Sequence, residues 1–262
     1  MTKTAQQLKA LISTPKKIVI TTHRGPDGDA MGSSLALCDF LEQLGHIVNV
    51  IIPNEYAKFL HWLPGSDAVI NYEEKEEKAA AITAEADLIF LLDFSHLSRI
   101  ATFASAVSKS KATKIMIDHH QDPNTDIAEL IFSDTTACST AQLVYEVIEA
   151  MEMTTYLNKA IAECLYVGIM TDTGSFKYAS TTAKTHHVIA ELINAGAENA
   201  KIHDLIYDNS SANRIKLLGY CLNEKLRLYP KNNAAIISLT DEELKRFKFK
   251  KGDTEGFVNY AL

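Results

Sequence analysis

No apolar run in this chain approaches the ~20 residues that cross a bilayer as a helix, and Met1-Thr2-Lys3-Thr4-Ala5-Gln6-Gln7 has no apolar leader core. Neither a membrane partner nor export is expected. Cysteine is sparse. Cys38, Cys138, Cys164 and Cys221 lie far apart with no Cys-x-x-Cys pair, which argues against a thiolate zinc site and fits a reducing, cytoplasmic compartment. A basic surplus is also missing: 26 Lys and Arg stand against 33 Asp and Glu, a net charge of −7. Coating long nucleic acid rests on many Lys/Arg–phosphate contacts, so that class is disfavoured. A small phosphate substrate held through metals is not. There is no internal repeat and no low-complexity segment. What remains is ordinary for a globular protein: 262 residues, 47% hydrophobic and 23% charged, enough for one large or two modest domains.

Apolar runs and helical stretches alternate through the first half. Strands are expected at 17–22, 47–52, 88–92 and 114–118. Helices are expected at 4–13, 32–44, 56–63, 73–85 and 99–108. Strands alternating with helices mean βαβ units and a mostly parallel sheet, hence an α/β, doubly wound fold. From Ala137 the pattern turns helical, with helices at 138–151, 158–170, 183–195, 200–207 and 212–222. A hairpin follows (224–229 and 234–239), then a helix start at Asp241 capped by Thr240. The expected division is a metal-binding domain at 1–195, a helical connector at 196–220 and a smaller α+β piece at 221–262.

Chemistry concentrates at the ends of apolar runs. Lys17-Ile18-Val19-Ile20-Thr21-Thr22 is followed by His23-Arg24-Gly25-Pro26-Asp27-Gly28-Asp29-Ala30-Met31-Gly32-Ser33. An imidazole and two carboxylates thus sit on a loop where open α/β sheets place their ligands. A tight turn at Gly28 would let Asp27 and Asp29 converge. Acids held that close repel one another and desolvate badly unless a cation joins them, which points to a divalent metal. Three further stretches end likewise: Leu88–Leu92 on Asp93, Lys114–Ile117 on Asp118-His119-His120, and the helical Tyr166–Thr171 on Asp172.

That ordered set, His-x-x-Pro-Asp-Gly-Asp-Ala-x-Gly-Ser, an acid after a strand, Asp-His-His, then Gly-x-x-x-Asp-Thr-Gly-x-Phe, resembles the DHH phosphoesterase superfamily. Within it the chain is most similar to the nanoRNase/pAp-phosphatase group. Phe176–Thr182 and Leu192–Ala197 fit that group's pattern as well. The resemblance implies two divalent cations, manganese by preference, with magnesium or cobalt acceptable. His23, Asp27 and Asp93 would hold one; Asp29, Asp93, His119 and Asp172 the other, so that Asp93 bridges. It implies catalytic roles for Asp93 and His120, hydrolysis of short oligoribonucleotides to 5′-mononucleotides, and removal of phosphate from 3′-phosphoadenosine 5′-phosphate. The group's second domain normally carries a Gly-Gly-Gly-His motif, which this sequence lacks. The expectation is therefore an incomplete substrate-binding domain and weak cleavage of nucleotides.

Other residues are read more plainly. Asp118 is expected to orient the site rather than bind metal. Arg99 could reach a substrate phosphate or be an ordinary surface charge. Ser33, Ser34, Ser139 and Thr140 could bond phosphate or cap helices, with capping the preferred reading for each, and His186-His187 are read as solvent-facing. Two alternatives stand: a pyrophosphatase or short-chain polyphosphatase of the same superfamily, and a non-catalytic nucleotide-binding regulator. The partner expected is a small nucleotide or short RNA, and a homodimer remains open.

Overall fold

The structure, a computed structural model, describes residues 2–260; the outermost residues of the expected first and last domains (1, 261 and 262) lie outside the described residues. Six strands form one parallel sheet: β1 (Lys17–Thr22), β2 (Ile47–Ile52), β3 (Ile70–Asn71), β4 (Leu88–Leu92), β5 (Thr113–Asp118) and β6 (Leu130–Ser133). Their order is β3-β2-β1-β4-β5-β6. β1, β4 and β5 are almost wholly buried, as strands covered on both faces must be, and so read as unbroken apolar runs.

Helices cover both faces. One face of β1, β4 and β5 carries Val19, Ile89, Leu91 and Met116. These pack with Ala79 of α3 (Glu76–Ala84) and Val107 of α4 (Ala104–Lys109). Alternation along the strands sends Ile18, Ile20, Phe90, Ile115 and Ile117 to the other face. There α2 (Gly28–Gln43) lies against β1, β2 and β4, and α5 (Thr140–Ala150) against β5. Both helices also pack on α6 (Lys159–Asp172), which is followed by α7 (Ala183–Asn194), while α1 (Thr2–Leu11) packs against α5 and β6. Burial of each large aliphatic or aromatic side chain stabilises such a core by about 1.5–3 kcal/mol relative to exposure.

The differences from expectation are local. β6 was not anticipated: Leu130-Ile131-Phe132 is too short an apolar run to stand out, and it pairs because β5 offers an open edge. The expected helix at 56–63 is a single 3-10 turn at Lys58–Leu60, and the one at 99–108 is a 3-10 segment (Leu97–Phe103) running into α4. α2 begins at Gly28 rather than Gly32, because Asp27 caps it.

By contacts the chain divides into two units, one comprising residues up to 55 with 60–202, the other residues 56–59 with the chain from 203 onward. The stretch 196–220 contains that division. It holds α8 (Asn199–His203) and α9 (Ala212–Tyr220). The second unit adds a short antiparallel pair, β7 (Arg227–Tyr229) and β8 (Ala234–Ile236), and α10 (Asp241–Arg246), whose N-cap is Thr240 as its sequence suggested. Its core is thin. Leu217, Cys221 and Phe257 are buried there, whereas Leu228, Ile236 and Val258 are more than half exposed.

Candidate metal centre

β1 and β4 are neighbours, yet the chain leaves β1 for β2 on one side and β4 for β5 on the other. At such a switch point connecting segments diverge and a crevice opens beyond the strands' carboxyl ends. His23 follows β1, Asp93 follows β4, and Asp118-His119-His120 ends β5, so all open onto that crevice.

Helix termini bring the remaining acids. Asp27 caps α2: its Oδ1 accepts from the N–H groups of Asp29 and Ala30 at 3.1 and 3.0 Å. Its Oδ2 is left 3.8 Å from His23 Nε2. Asp29 therefore lies in the first helical turn. Gly28 serves close approach, not a tight turn, because a Cβ there would sit 2.3 Å from Thr171 Oγ1. Gly32 repeats this one turn on, where a Cβ would meet the Cys164 carbonyl oxygen at 2.4 Å. α2 and α6 thus pack backbone to backbone, which carries Asp172, the last residue of α6, to the mouth of the crevice.

Two histidines aim the same atom inward. His23 Nδ1 is 3.1 Å from the Arg24 carbonyl and His119 Nδ1 is 3.4 Å from the Ala137 carbonyl. A carbonyl only accepts, so Nδ1 carries a proton, and in the neutral ring Nε2 is left with a lone pair. His23 Nε2 lies 3.4 Å from Asp93 Oδ2. His119 Nε2 lies 3.6 Å from Asp93 Oδ1, 3.5 Å from Asp172 Oδ2 and 4.0 Å from Asp29 Oδ2. Asp93 thus turns Oδ2 toward His23 and Oδ1 toward His119, with His120 Nδ1 also 3.7 Å from Oδ1. It does so from a left-handed backbone, φ 64°, a conformation that costs a non-glycine residue free energy and clusters at functional sites.

His23, Asp27 and Asp93 form one group with ligand atoms within 4.8 Å of one another. Asp29, His119 and Asp172 form a second, and Asp93, His119 and His120 a third that joins them. All six residues expected as ligands are brought together. The half-exposed His120 is held differently: its Nδ1 is 2.7 Å from Asp118 Oδ1, and Asp118 is fully buried with Oδ2 unpartnered among the described residues. Arg99 is exposed, and its charge is felt at His120.

The electrostatics show a centre short of positive charge. Burial, then Asp93 and Asp172, pushes Asp29 well above the usual carboxylate range. Burial lifts Asp172 to about 6 despite His119, and Asp27 is raised by burial and by Asp93. Asp93 goes the other way: burial pushes it up, but His23, His119 and His120 together hold it below its ordinary value. Burial would lower His23, yet Asp93 and Asp27 outweigh it and raise it. The hydrogen bond to Asp118 raises His120. Among the described residues no Lys or Arg pairs with Asp27, Asp29, Asp93 or Asp172. The donors are carboxylate oxygens and imidazole nitrogens with no thiolate, a set that fits hard to borderline divalent ions.

Sequence reasoning missed the support behind these acids. Thr140 N–H donates to Asp29 Oδ2 at 2.6 Å, Ala141 N–H to Asp29 Oδ1 at 2.8 Å, and the Thr140 hydroxyl to Asp93 Oδ1 at 3.0 Å. Thr140 is therefore not a cap; Ser139 is, accepting from the Gln142 N–H. Ser33 and Ser34 bond back to the Ala30 carbonyl inside α2 rather than capping it. No local signal could reveal contacts formed across 47 to 112 residues.

Residues 17–169 match the DHH family, N-terminal domain. Over 244 residues the chain is 30% identical to the bifunctional oligoribonuclease and PAP phosphatase NrnA of Bacillus subtilis, covering 92% of this chain and 72% of that protein. Against the protein of the same name from Thermus thermophilus it is 33% identical over 187 residues, covering 71% and 52%. The crystal structure of an exopolyphosphatase-related protein from Bacteroides fragilis superposes with a TM-score of 0.95 at 40% identity, over 100% of this chain and 76% of that one. The chain thus spans roughly half to three quarters of these relatives' lengths.

Proposed function

The chain belongs to the DHH family, and from that premise we propose that it is a two-metal phosphoesterase that cleaves short oligoribonucleotides to 5′-mononucleotides and removes phosphate from 3′-phosphoadenosine 5′-phosphate. The observation that carries this reading is the position of Asp93, one oxygen toward His23 and the other toward His119.

His23, Asp27 and Asp93 would hold one cation and Asp29, Asp93, His119 and Asp172 the other. Bound there, two divalent ions, manganese in this proposal, supply Lewis acidity and a water made nucleophilic at neutral pH. The chain's own residues do the rest. Asp29 spends one lone pair of each oxygen on α5 and keeps the others for a ligand. His120, with Nδ1 committed to Asp118, can in its charged form also donate from Nε2 to a phosphoryl oxygen as charge builds there. The exposed guanidinium of Arg99 would meet a second phosphate. The buried Asp118 keeps the His120 ring in one orientation and favours its charged form.

The same centre would also suit a pyrophosphatase or short-chain polyphosphatase, a reading favoured by the description of the Bacteroides fragilis relative. The test is one assay of the purified protein with manganese on a dinucleotide, 3′-phosphoadenosine 5′-phosphate, pyrophosphate and a short polyphosphate. The proposal expects 5′-mononucleotide from the dinucleotide and loss of that activity on chelation. Turnover of pyrophosphate or polyphosphate alone would move the substrate to the second reading. No turnover of any would favour a nucleotide-binding regulator.

A further inference from the structure

Asp93 and Asp29 are the two most enclosed acids among the expected ligands, 2% and 1% exposed, and both rest on one helix terminus. A carboxylate can rotate about its last bond. If Asp93 turned, its oxygens would exchange or leave His23 and His119, and nothing in the imidazoles themselves fixes that angle. The Thr140 hydroxyl, 3.0 Å from Asp93 Oδ1, does fix it, and the N–H of the same residue holds Asp29 Oδ2 at 2.6 Å. Thr140 is fully buried, so water does not compete for either bond. The terminus is itself anchored. Ser139 accepts from the Gln142 N–H, while Gln142 Oε1 accepts from the Thr185 hydroxyl at 2.9 Å and its Nε2 donates to Glu146 at 2.9 Å. Lys184 in turn pairs with Glu146 Oε2 at 2.6 Å. The first turn of α5 is thereby tied to α7 and is a rigid rather than a fraying end.

We propose that Thr140 is a positioning residue: through its hydroxyl on Asp93 and its backbone N–H on Asp29 it sets how the two carboxylates that face both halves of the centre are presented to the cations. The hydroxyl does the discriminating work, since any residue but proline at position 140 supplies the N–H. This rests on the metal-centre reading above and adds a residue to which that reading assigned no role.

Thr140→Val keeps the branched shape and removes the donor; Thr140→Ser keeps the donor and loses a methyl. Both are compared with the unaltered chain by calorimetric titration with Mn²⁺ alone, by the electron paramagnetic resonance spectrum of the Mn²⁺-loaded protein, by thermal unfolding without metal, and by kcat and KM on a dinucleotide. Losses on removing a ligand's orienting partner are about 10–100-fold in metal affinity. Thr140→Val is therefore expected to bind Mn²⁺ at least tenfold more weakly, to lose the spin-coupled pair signal in favour of isolated ions, and to lower kcat more than it changes KM. Thr140→Ser is expected to restore all three. If Thr140→Val unfolds at a lower temperature but binds Mn²⁺ with the parent's affinity and spectrum, its role is structural only and the proposal fails while the metal-centre reading stands. If the parent chain itself takes up no Mn²⁺, both fall together.

Discussion

At the scale of single residues, the Asp-His-His run divides its work by direction. His119 turns Nε2 toward three carboxylates, whereas His120 gives Nδ1 to Asp118. His120→Asn is therefore expected to lower kcat by about 10²–10³-fold, the cost of losing one oriented donor to developing charge, with manganese content unchanged. Parallel elemental analysis and kinetics check this, and a matching loss of bound metal would move His120 into the ligand set. Asp93→Ala is expected to abolish hydrolysis and weaken uptake of both ions. Asp118→Asn, altering only the orientation and charge of His120, should cost about 10–100-fold. Titration of each variant with Mn²⁺ separates the two, and equal, total loss from both changes would contradict the distinction.

Among elements, the contact that matters most to the centre is α2 against α6. A Cβ at Gly32 would press on the backbone carbonyl of Cys164 at 2.4 Å, and one at Gly168 would approach Asp29 Oδ1 at 2.8 Å. Backbone atoms inside a helix cannot rotate out of the way as a flexible side chain can. Gly32→Ala is accordingly expected to destabilise the fold by about 1–3 kcal/mol through overpacking. It should also weaken Mn²⁺ binding, because separating the helices draws Asp172 away from Asp29. Chemical denaturation of the metal-free variant measures the first effect and Mn²⁺ titration the second. A variant as stable as the parent would show that the helices tolerate the separation.

For the whole molecule, the metal-free centre is a source of instability with a definite pH dependence. Asp27, Asp29 and Asp172 have folded pKa values above their ordinary ones, so between about pH 4 and the elevated values the folded state binds more protons than the unfolded state. Stability then falls as pH rises through that window, which for Asp172 runs from about pH 4 up to its value of about 6. The raised His23 and His120 act in the same direction at higher pH, since the stabilisation of their charged forms is lost as they deprotonate. Asp93, lowered, acts oppositely only below the ordinary carboxylate range. The expected outcome is a melting temperature of the metal-free protein that drops from about pH 5 to about pH 8. Mn²⁺ should restore it, and by more at the higher pH, where protons no longer compete for the ligands. Scanning calorimetry across pH, with and without Mn²⁺, decides it; a rise with pH in the metal-free protein would contradict the assigned shifts.

Much of this was legible in residue order. Buried parallel strands must be apolar along their whole length, so β1, β4 and β5 announce themselves, and the acids and imidazoles that close them mark the crevice. The six expected ligands carry their signal locally, in short motifs. What the chain could not reveal locally is what depends on distant partners: β6, recruited by the open edge of β5; the role of Gly28 and Gly32, which is to admit another helix rather than to bend their own; and the support of Asp29 and Asp93 by the start of α5. A motif records which chemical groups a site needs, because those groups must be present whatever surrounds them. The angles at which the groups are held come from packing between segments far apart in the chain, and only the tertiary structure decides those.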